Sequence, residues 1–311
     1  MYYYIKNLFL GSENMDLDYL RSFYVTVKCN SISKAAKLLH LTQPGLSMQI
    51  QNLEDEIGAT LLERSNKGVK LTEEGKIVFE HATTMLSLED NIKKSLKSLE
   101  KNKKNLSICA CKSLGEYVLP CSIYTFQEIY TDVDVELEVH NTNTVIKKLL
   151  SHDTNIGVIT GFHETESITT IPILADRLLL VSGPNEEYDE IDIDEILNIP
   201  LILREEDSNN RAVLANILLK HGISIEDLNV ALSSNSPESI KSTVASGRGF
   251  AFLPEVVIKK ELRRGILKKI NIKDFNAKFN YYLAYRNNYK FKGYEETFKR
   301  FITSKKRCFC Y

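Results

Sequence analysis

The chain opens with apolar residues at helical spacing and continues, past its first third, in an alternation of strand-like and helical runs. Leu17, Leu20, Phe23, Tyr24 and Val27 fall on one stripe, which predicts a helix over residues 16–28. A second, short helix is predicted over 33–39, with Ser33 placed to cap its free N–H groups and Ala35 and Ala36 small enough for close packing. His40-Leu41-Thr42 forms a turn. A third helix follows over 43–57, with Pro44 tolerated in its first turn and Gly58 as its stop. Leu62-Glu63-Arg64 and Val69-Lys70-Leu71 flank Ser65-Asn66-Lys67-Gly68, the pattern of a small hairpin.

Thr72 then caps a long helix that runs to about residue 101. Met85, Leu88, Ile92, Leu96 and Leu99 recur along it at spacings of three and four, so it packs against another helix or against its own C-terminal domain. A single stripe ending in the hydrophilic segment 101–105 favours pairing between chains. From Leu106 onward, strand-like and helical runs alternate, which argues α/β lobes with largely parallel sheets. Val133, Val135, Leu137 and Val139 alternate with Asp134, Glu136 and Glu138, so that strand has one buried and one wet face.

The third helix carries the first candidate chemistry. Leu46, Ile50, Leu53 and Ile57 share one face; Pro44, Ser47, Met48 and Gln51 lie roughly opposite, and Gln43 sits in the first turn. Gln can bond adenine bidentately, Ser can accept or donate, and Met can touch a thymine methyl. Taken alone, this is equally an ordinary amphipathic helix with a wet face. Its context narrows the reading. Ser31-Ile32-Ser33-Lys34-Ala35-Ala36, Leu41-Thr42-Gln43-Pro44-Gly45-Leu46-Ser47-Met48 and Ile50-Gln51-Asn52-Leu53-Glu54, followed by Leu61-Leu62-Glu63-Arg64-Ser65 and Leu71-Thr72-Glu73-Glu74-Gly75, resemble the helix-turn-helix, wing and linker start of LysR-type transcriptional regulators.

That resemblance implies an α/β protein with an N-terminal winged helix-turn-helix, a long linker helix and a two-lobed, periplasmic-binding-protein-like effector domain. It implies double-stranded DNA as a partner, with Gln43, Pro44, Ser47 and Met48 towards the groove and Thr42 and Gln51 also among the DNA-binding residues. Ser33 and Lys34 would approach phosphate, and Arg64 and Lys67 the flanking backbone. Met48 departs from the family pattern, which usually has Arg or Lys there, so the helix's outward face lacks a cation. The implied division is a disordered leader over 1–14, the DNA reader over 15–73, the linker over 74–103, the effector domain over 104–304 and a frayed tail over 305–311. Lobe one takes 104–172 and 278–304, and lobe two 173–277, with crossovers at 171–173 and 275–278. The resemblance further implies a homodimer or homotetramer, a use the linker stripe fits, and RNA polymerase as a further partner.

In such a domain a small-molecule effector sits where helix N-termini from both lobes converge, and these favour anions. Ser113, Leu114, Thr142, Asn143, Arg204 and Ser236 form the candidate set. Capping alone would equally account for Ser113 and Ser236, and Arg204 could pair a ligand carboxylate or its neighbours Glu205 and Glu206.

Composition changes this picture little. The formal net charge is −1, so a DNA surface must be local. Of six cysteines, Cys109 and Cys111 lie two apart in an apolar run and read as buried; Cys308 and Cys310 lie in the tail and leave a redox or metal role open. The apolar patch over 5–10 is too short to span a bilayer, and a cytoplasmic protein without cofactor is expected. Neither rival class gains support. An enzyme lacks a nucleotide-binding glycine loop, a His-Glu-x-x-His zinc motif or a nucleophile elbow, and an exported solute-binding module lacks a signal peptide.

Overall fold

The computed structural model describes residues 15–65, 68–100, 103–161, 166–304, 307 and 309, and only the backbone of 95 and 98–100. The expected leader over 1–14, Lys67, Cys308, Cys310 and the side chain of Leu99 lie outside that description. The chain divides into two compact units, one reaching Lys94 and including Ser151–Asp153, the other holding the remainder.

In the first unit, α1 (Leu17–Cys29) ends on Asn30, whose left-handed φ of 47° stops the helix. The second helix, α2 (Ile32–Leu38), is capped by Ser31 rather than Ser33: Ser31 holds the extended backbone a cap requires, and its Oγ accepts from Lys34 N at 3.3 Å. Ser31→Ala is expected to lower the stability of this unit by about 1 kcal/mol, read as an earlier unfolding midpoint in denaturant. The third helix, α3 (Gln43–Ile57), starts at Thr42, whose Oγ1 accepts from Gly45 N at 3.2 Å, and stops at Gly58 with φ 75°. Leu20, Phe23, Ala35, Ala36, Leu46, Ile50 and Leu53 make one core against Leu61 and Leu62.

The wing is an antiparallel pair, β1 (Leu62–Ser65) and β2 (Gly68–Leu71). It is tied to the end of α1 by Val69 N, which donates to Asn30 Oδ1 at 2.9 Å. Then α4 (Glu73–Glu100) begins where Thr72 Oγ1 accepts from Gly75 N and donates to Thr60 O, both at 2.8 Å. A Cβ on Gly75 would lie 2.1 Å from the Leu61 carbonyl, so only glycine lets α4 leave this close to the wing. Along α4, Met85, Leu88, Ile92 and Leu96 are 37%, 44%, 63% and 58% exposed, whereas Ala82 and Leu86 are buried.

The second unit is built on a mixed sheet. Its elements in order are β3 (Lys104–Cys111), α5 (Lys112–Tyr117), α6 (Leu119–Ile129), β4 (Val133–His140), α7 (Thr142–Leu150), β5 (Ile156–Thr160) and the long β6 (Ile168–Ser182). Then follow β7 (Glu190–Ile191), β8 (Leu201–Arg204), α8 (Asn209–Leu219), β9 (Val230–Ser234), α9 (Pro237–Ala245), β10 (Ala251–Pro254), α10 (Glu255–Arg263), β11 (Lys268–Ile272), β12 (Lys278–Arg286) and α11 (Gly293–Thr303). The main sheet runs β4-β3-β5-β12-β6-β11-β7, with β10 also on β6, and β8 pairs β9 apart from it. Among the described strand pairs, β3 with β4 and β5, β7 with β11, and β8 with β9 are parallel, and the rest are antiparallel. The expectation of largely parallel sheets is therefore corrected. The two returning strands β6 and β12 pair antiparallel along the whole of β12 and make the sheet mixed.

The single strand β6 serves both lobes. Its first part pairs with β12 as far as Arg177↔Lys278; its last residues, from Leu178, pair with β10 and β11. The lobes thus exchange at Arg177–Leu178 and Ala277–Lys278, where Leu178 N donates to Ala277 O at 3.0 Å. The crossover expected at 171–173 is displaced, because Pro172 lies inside the strand. It sits at a register shift beside Tyr281 and Tyr282, where a missing N–H is tolerated. Of the tail, Phe309 packs on the core and the Arg307 carbonyl accepts from Ser122 Oγ, so frayed does not describe these two. Cys121 is disulfide-bonded, and Cys109 and Cys111 are buried as expected. No described helix is long and apolar enough to cross a membrane.

Candidate functional site

In the first unit, the side of α3 opposite the core is a continuous outward face. Gln43, Pro44, Met48 and Gln51 are exposed and Ser47 is half-buried. Gln43 is held rather than loose, because its Nε2 donates to Ser33 Oγ at 2.8 Å. This bond gives Ser33 a different role from the cap expected of it. Arg64 crosses from β1 and donates from Nη1 to Ser47 Oγ at 3.4 Å. A guanidinium therefore stands beside the helix whose own outward face carries no cation. Lys34 is exposed at the start of α2, and the Thr42 hydroxyl is spent on capping α3. The chemistry on offer is one preoriented amide, a hydroxyl, a thioether and a second amide on a rigid helix, flanked by cations. That suits edge recognition of bases together with phosphate neutralisation.

In the second unit, the starts of α5, α7 and α8 converge from both lobes on a cavity. Cys111, Lys112, Ser113, Thr142, Thr160, Arg204, Ser208 and Asn210 line it, with Asn141 and Asn209. Its free volume of about 20 Å³ is enough for a water or little more. A wider groove of about 320 Å³ adjoins it, sharing Lys112 and Asn141. The lobes are latched over the cavity. Asn210 Nδ2 donates to Ser113 Oγ at 3.0 Å, Asn141 Nδ2 to Asp207 Oδ2 at 2.5 Å, and Lys112 Nζ to Asn235 O at 2.6 Å. Thr142 Oγ1 accepts from Thr160 N at 3.1 Å.

The Arg204 side chain is almost fully buried, and its fork is already taken by Glu205: Nε to Oε2 at 2.6 Å and Nη2 to Oε1 at 2.8 Å. Burial alone would raise the Glu205 carboxyl. The hydrogen bonds and charge of Arg204, with Lys112, outweigh it and hold Glu205 below the usual range. Burial pushes the Cys111 thiol up. The Asn210 Oδ1 atom is buried without a partner at the cavity wall, an acceptor left for whatever enters.

Two family models divide the chain between them: "Bacterial regulatory helix-turn-helix protein, lysR family" over residues 17–76 and "LysR substrate binding domain" over 100–306. The chain belongs to the LysR family of transcription regulators. A "Probable RuBisCO transcriptional regulator" of Cyanidioschyzon merolae is 31% identical over 89% of this chain and 94% of its own length. Full-length CbnR, solved with its target DNA, matches with a TM-score of 0.67 at 19% identity, over 93% of this chain and 98% of that one. The regulatory domain of Synechocystis PCC6803 CcmR, solved with 2-PG, matches with a TM-score of 0.59 at 20% identity, over 65% of this chain and 96% of that one. This LysR chain is thus a regulator with a helix-turn-helix and an effector-binding domain, and not an enzyme.

Of the residues expected in the LysR effector cleft, Ser113, Thr142 and Arg204 line the cavity and three do not. Leu114 points the other way along α5 into the hydrophobic core. Asn143 is exposed, one step round α7 from Thr142. Ser236 caps α9, its Oγ accepting from Ser239 N at 3.2 Å, as the capping alternative held. Asn210, in the first turn of α8, and Thr160, at the end of β5, lie outside the expected set. The helix start at 208–211 carries a signal in the sequence, but only the three-dimensional convergence of α5, α7 and α8 brings Asn210 and Thr160 to Ser113.

Proposed function

We propose that this regulator reads duplex DNA with α3 and answers to a small anion bound between its lobes. The observation that carries the reading is the division of α3: Leu46, Ile50 and Leu53 in the core, and Gln43, Met48 and Gln51 outward beside Ser47 and Arg64. Gln43, Pro44, Ser47, Met48 and Gln51 face base edges; Ser33, Lys34, Thr42, Arg64 and Lys67 lie along the backbone. The exposed stripe of Met85, Leu88, Ile92 and Leu96 on α4 pairs with its copy in a homodimer. Two readers are thereby set on half-sites about one helical turn apart, and dimers join as tetramers. CbnR seen with target DNA and CcmR seen with 2-PG support the two partner classes. The domain division is that of the sequence, with the lobe exchange moved to Arg177–Leu178.

The effector meets Ser113, Thr142 and the free N–H groups at the helix starts, and a hydroxyl or protonated oxygen on it donates to Asn210 Oδ1. Arg204 supports the wall through Glu205 rather than taking the ligand directly. Because the cavity is nearly filled, the ligand must part the lobes, and the parted state alters the spacing of the paired readers and so the contact with RNA polymerase in the cytoplasm. A ligand drives this only by its differential affinity for the two arrangements. The test is footprinting of the full-length protein on the DNA it selects from its genome, with and without small anions, 2-PG first. The expected result is a salt-sensitive footprint whose length changes with the effector. Absence of preference for any duplex sinks the reading.

A further inference from the structure

We propose that Cys109, Glu138 and His140 form a site for a thiophilic divalent cation, of the zinc class, at the edge of the first lobe's sheet. Parallel pairing sets Cys109 beside Glu138 and Cys111 beside His140. Alternation along both strands then turns Cys109, Glu138 and His140 to one face. A thiol, a carboxylate oxygen and an imidazole nitrogen there all lie within 4.8 Å of one another. His140 Nε2 and Glu138 Oε2 are 3.3 Å apart.

The arrangement is graded as a metal site needs. The soft donor is at the bottom: Cys109 is 1% exposed, against Val145 and Leu149 of α7. The harder donors are at the mouth, half-buried, and the wide groove beside the effector cavity reaches His140 and gives an ion its way in. Three protein donors of mixed N, O and S type leave a fourth, tetrahedral position for water. Bonds of about 2.3 Å to sulfur and about 2.0 Å to nitrogen and oxygen require the three groups to draw in slightly. On binding, the Cys109 thiol gives its proton to solvent as the sulfur–metal bond forms, while His140 donates a nitrogen and Glu138 an oxygen lone pair. Glu138 is already held below the usual carboxylate range, first by the Lys148 ammonium at 2.7 Å and also by His140, against the effect of burial. Lys148 is therefore a competitor that the ion displaces or shares.

The site would have a consequence for regulation. His140 ends β4 and is followed directly by Asn141 and Thr142, which line the effector cavity. An ion clamping β4 to β3 would fix the start of α7.

The test uses the purified full-length chain, Zn²⁺ in competition with a chromophoric chelator, and Co²⁺ as a spectroscopic substitute. One equivalent is expected to be weakened by about 10-fold or more in His140→Ala and in Glu138→Gln, and strengthened in Lys148→Met. The thiolate-to-cobalt band should be lost in Cys109→Ser. Because Glu138 and His140 are half-buried at the sheet edge, their variants keep the test open if Cys109→Ser fails to fold. Unchanged stoichiometry, affinity and cobalt spectrum in His140→Ala and Glu138→Gln would assign any bound metal to the other cysteines and overturn the site.

Discussion

Gln43→Ala is expected to weaken binding to the cognate operator by about 5- to 150-fold while leaving binding to scrambled duplex nearly unchanged. A well-placed bidentate contact discriminates by about 1–3 kcal/mol, and Gln43 begins with part of the ordering cost already met. Its amide is held by Ser33 Oγ at 2.8 Å before DNA arrives. Ser47→Ala should relax base preference in the same manner but less, since one hydroxyl makes a single bond. Arg64→Ala should behave differently. As a phosphate contact it acts on all sequences alike, and its loss should lower the slope of log affinity against log salt by about one. It also removes the 3.4 Å bond to Ser47 Oγ, so some loss of base preference should accompany the uniform loss. The measurement is a binding titration of each variant on operator and scrambled duplex at several salt concentrations. Equal, salt-independent losses in Gln43→Ala and Arg64→Ala would contradict the division between base and backbone contacts.

The reader was legible in the sequence because its determinants are local. Helical spacing put Leu46, Ile50 and Leu53 on one side, and the core confirms them there. Thr72 and Gly58 act as the helix start and stop that their types suggest. Local reasoning failed by two residues at Ser31 and Ser33, both capping types; only backbone geometry separates them. The ligand cleft was half legible. Ser113, Thr142 and Asn210 all stand at helix starts and carry a signal, but that Asn210 meets Ser113, across 97 residues of sequence, is not visible in it. The lobe exchange was misplaced for a related reason. Proline reads as a break, but β6 absorbs Pro172 at a register shift and continues to Ser182. The wing's debt to Gly75 was also hidden, since the contact that forbids a side chain there comes from the Leu61 carbonyl.

Asp176→Asn is expected to stabilise the effector domain above pH 6, by up to about 3 kcal/mol. Asp176 lies one residue before the lobe exchange, and burial raises its carboxyl from the ordinary 3.8 to about 6. Backbone N–H bonds from Arg177 and Val256 and the Tyr281 hydroxyl pull it down, while the Glu255 charge adds to the rise; burial still prevails. Tyr281 is fully buried, and the Arg177 guanidinium is engaged by Glu255 at 2.8 Å, so its weaker attraction to Asp176 does not offset the cost of burial. The folded value exceeds the unfolded one. Below pH 3.8 the group is protonated in both states and contributes nothing. As pH rises from 3.8 to about 6, the unfolded chain ionises first and the folded state loses stability. Above about 6 the loss is complete, at 1.36 kcal/mol per pH unit of difference. Asn keeps an oxygen for Arg177 N, which now donates to Asp176 Oδ1 at 2.8 Å, and its amide can donate to the Tyr281 oxygen; the Tyr281 hydroxyl, which now donates to Oδ2, must turn away, so the gain stays below the full ionisation cost. Denaturant unfolding of both proteins at pH 8 and at pH 5 checks this: the advantage of the variant should be largest at pH 8 and smaller at pH 5. A variant less stable at pH 8, or a difference independent of pH, would mean that Asp176 is solvated in the folded protein. The strand joining the lobes would then be wet at its point of exchange.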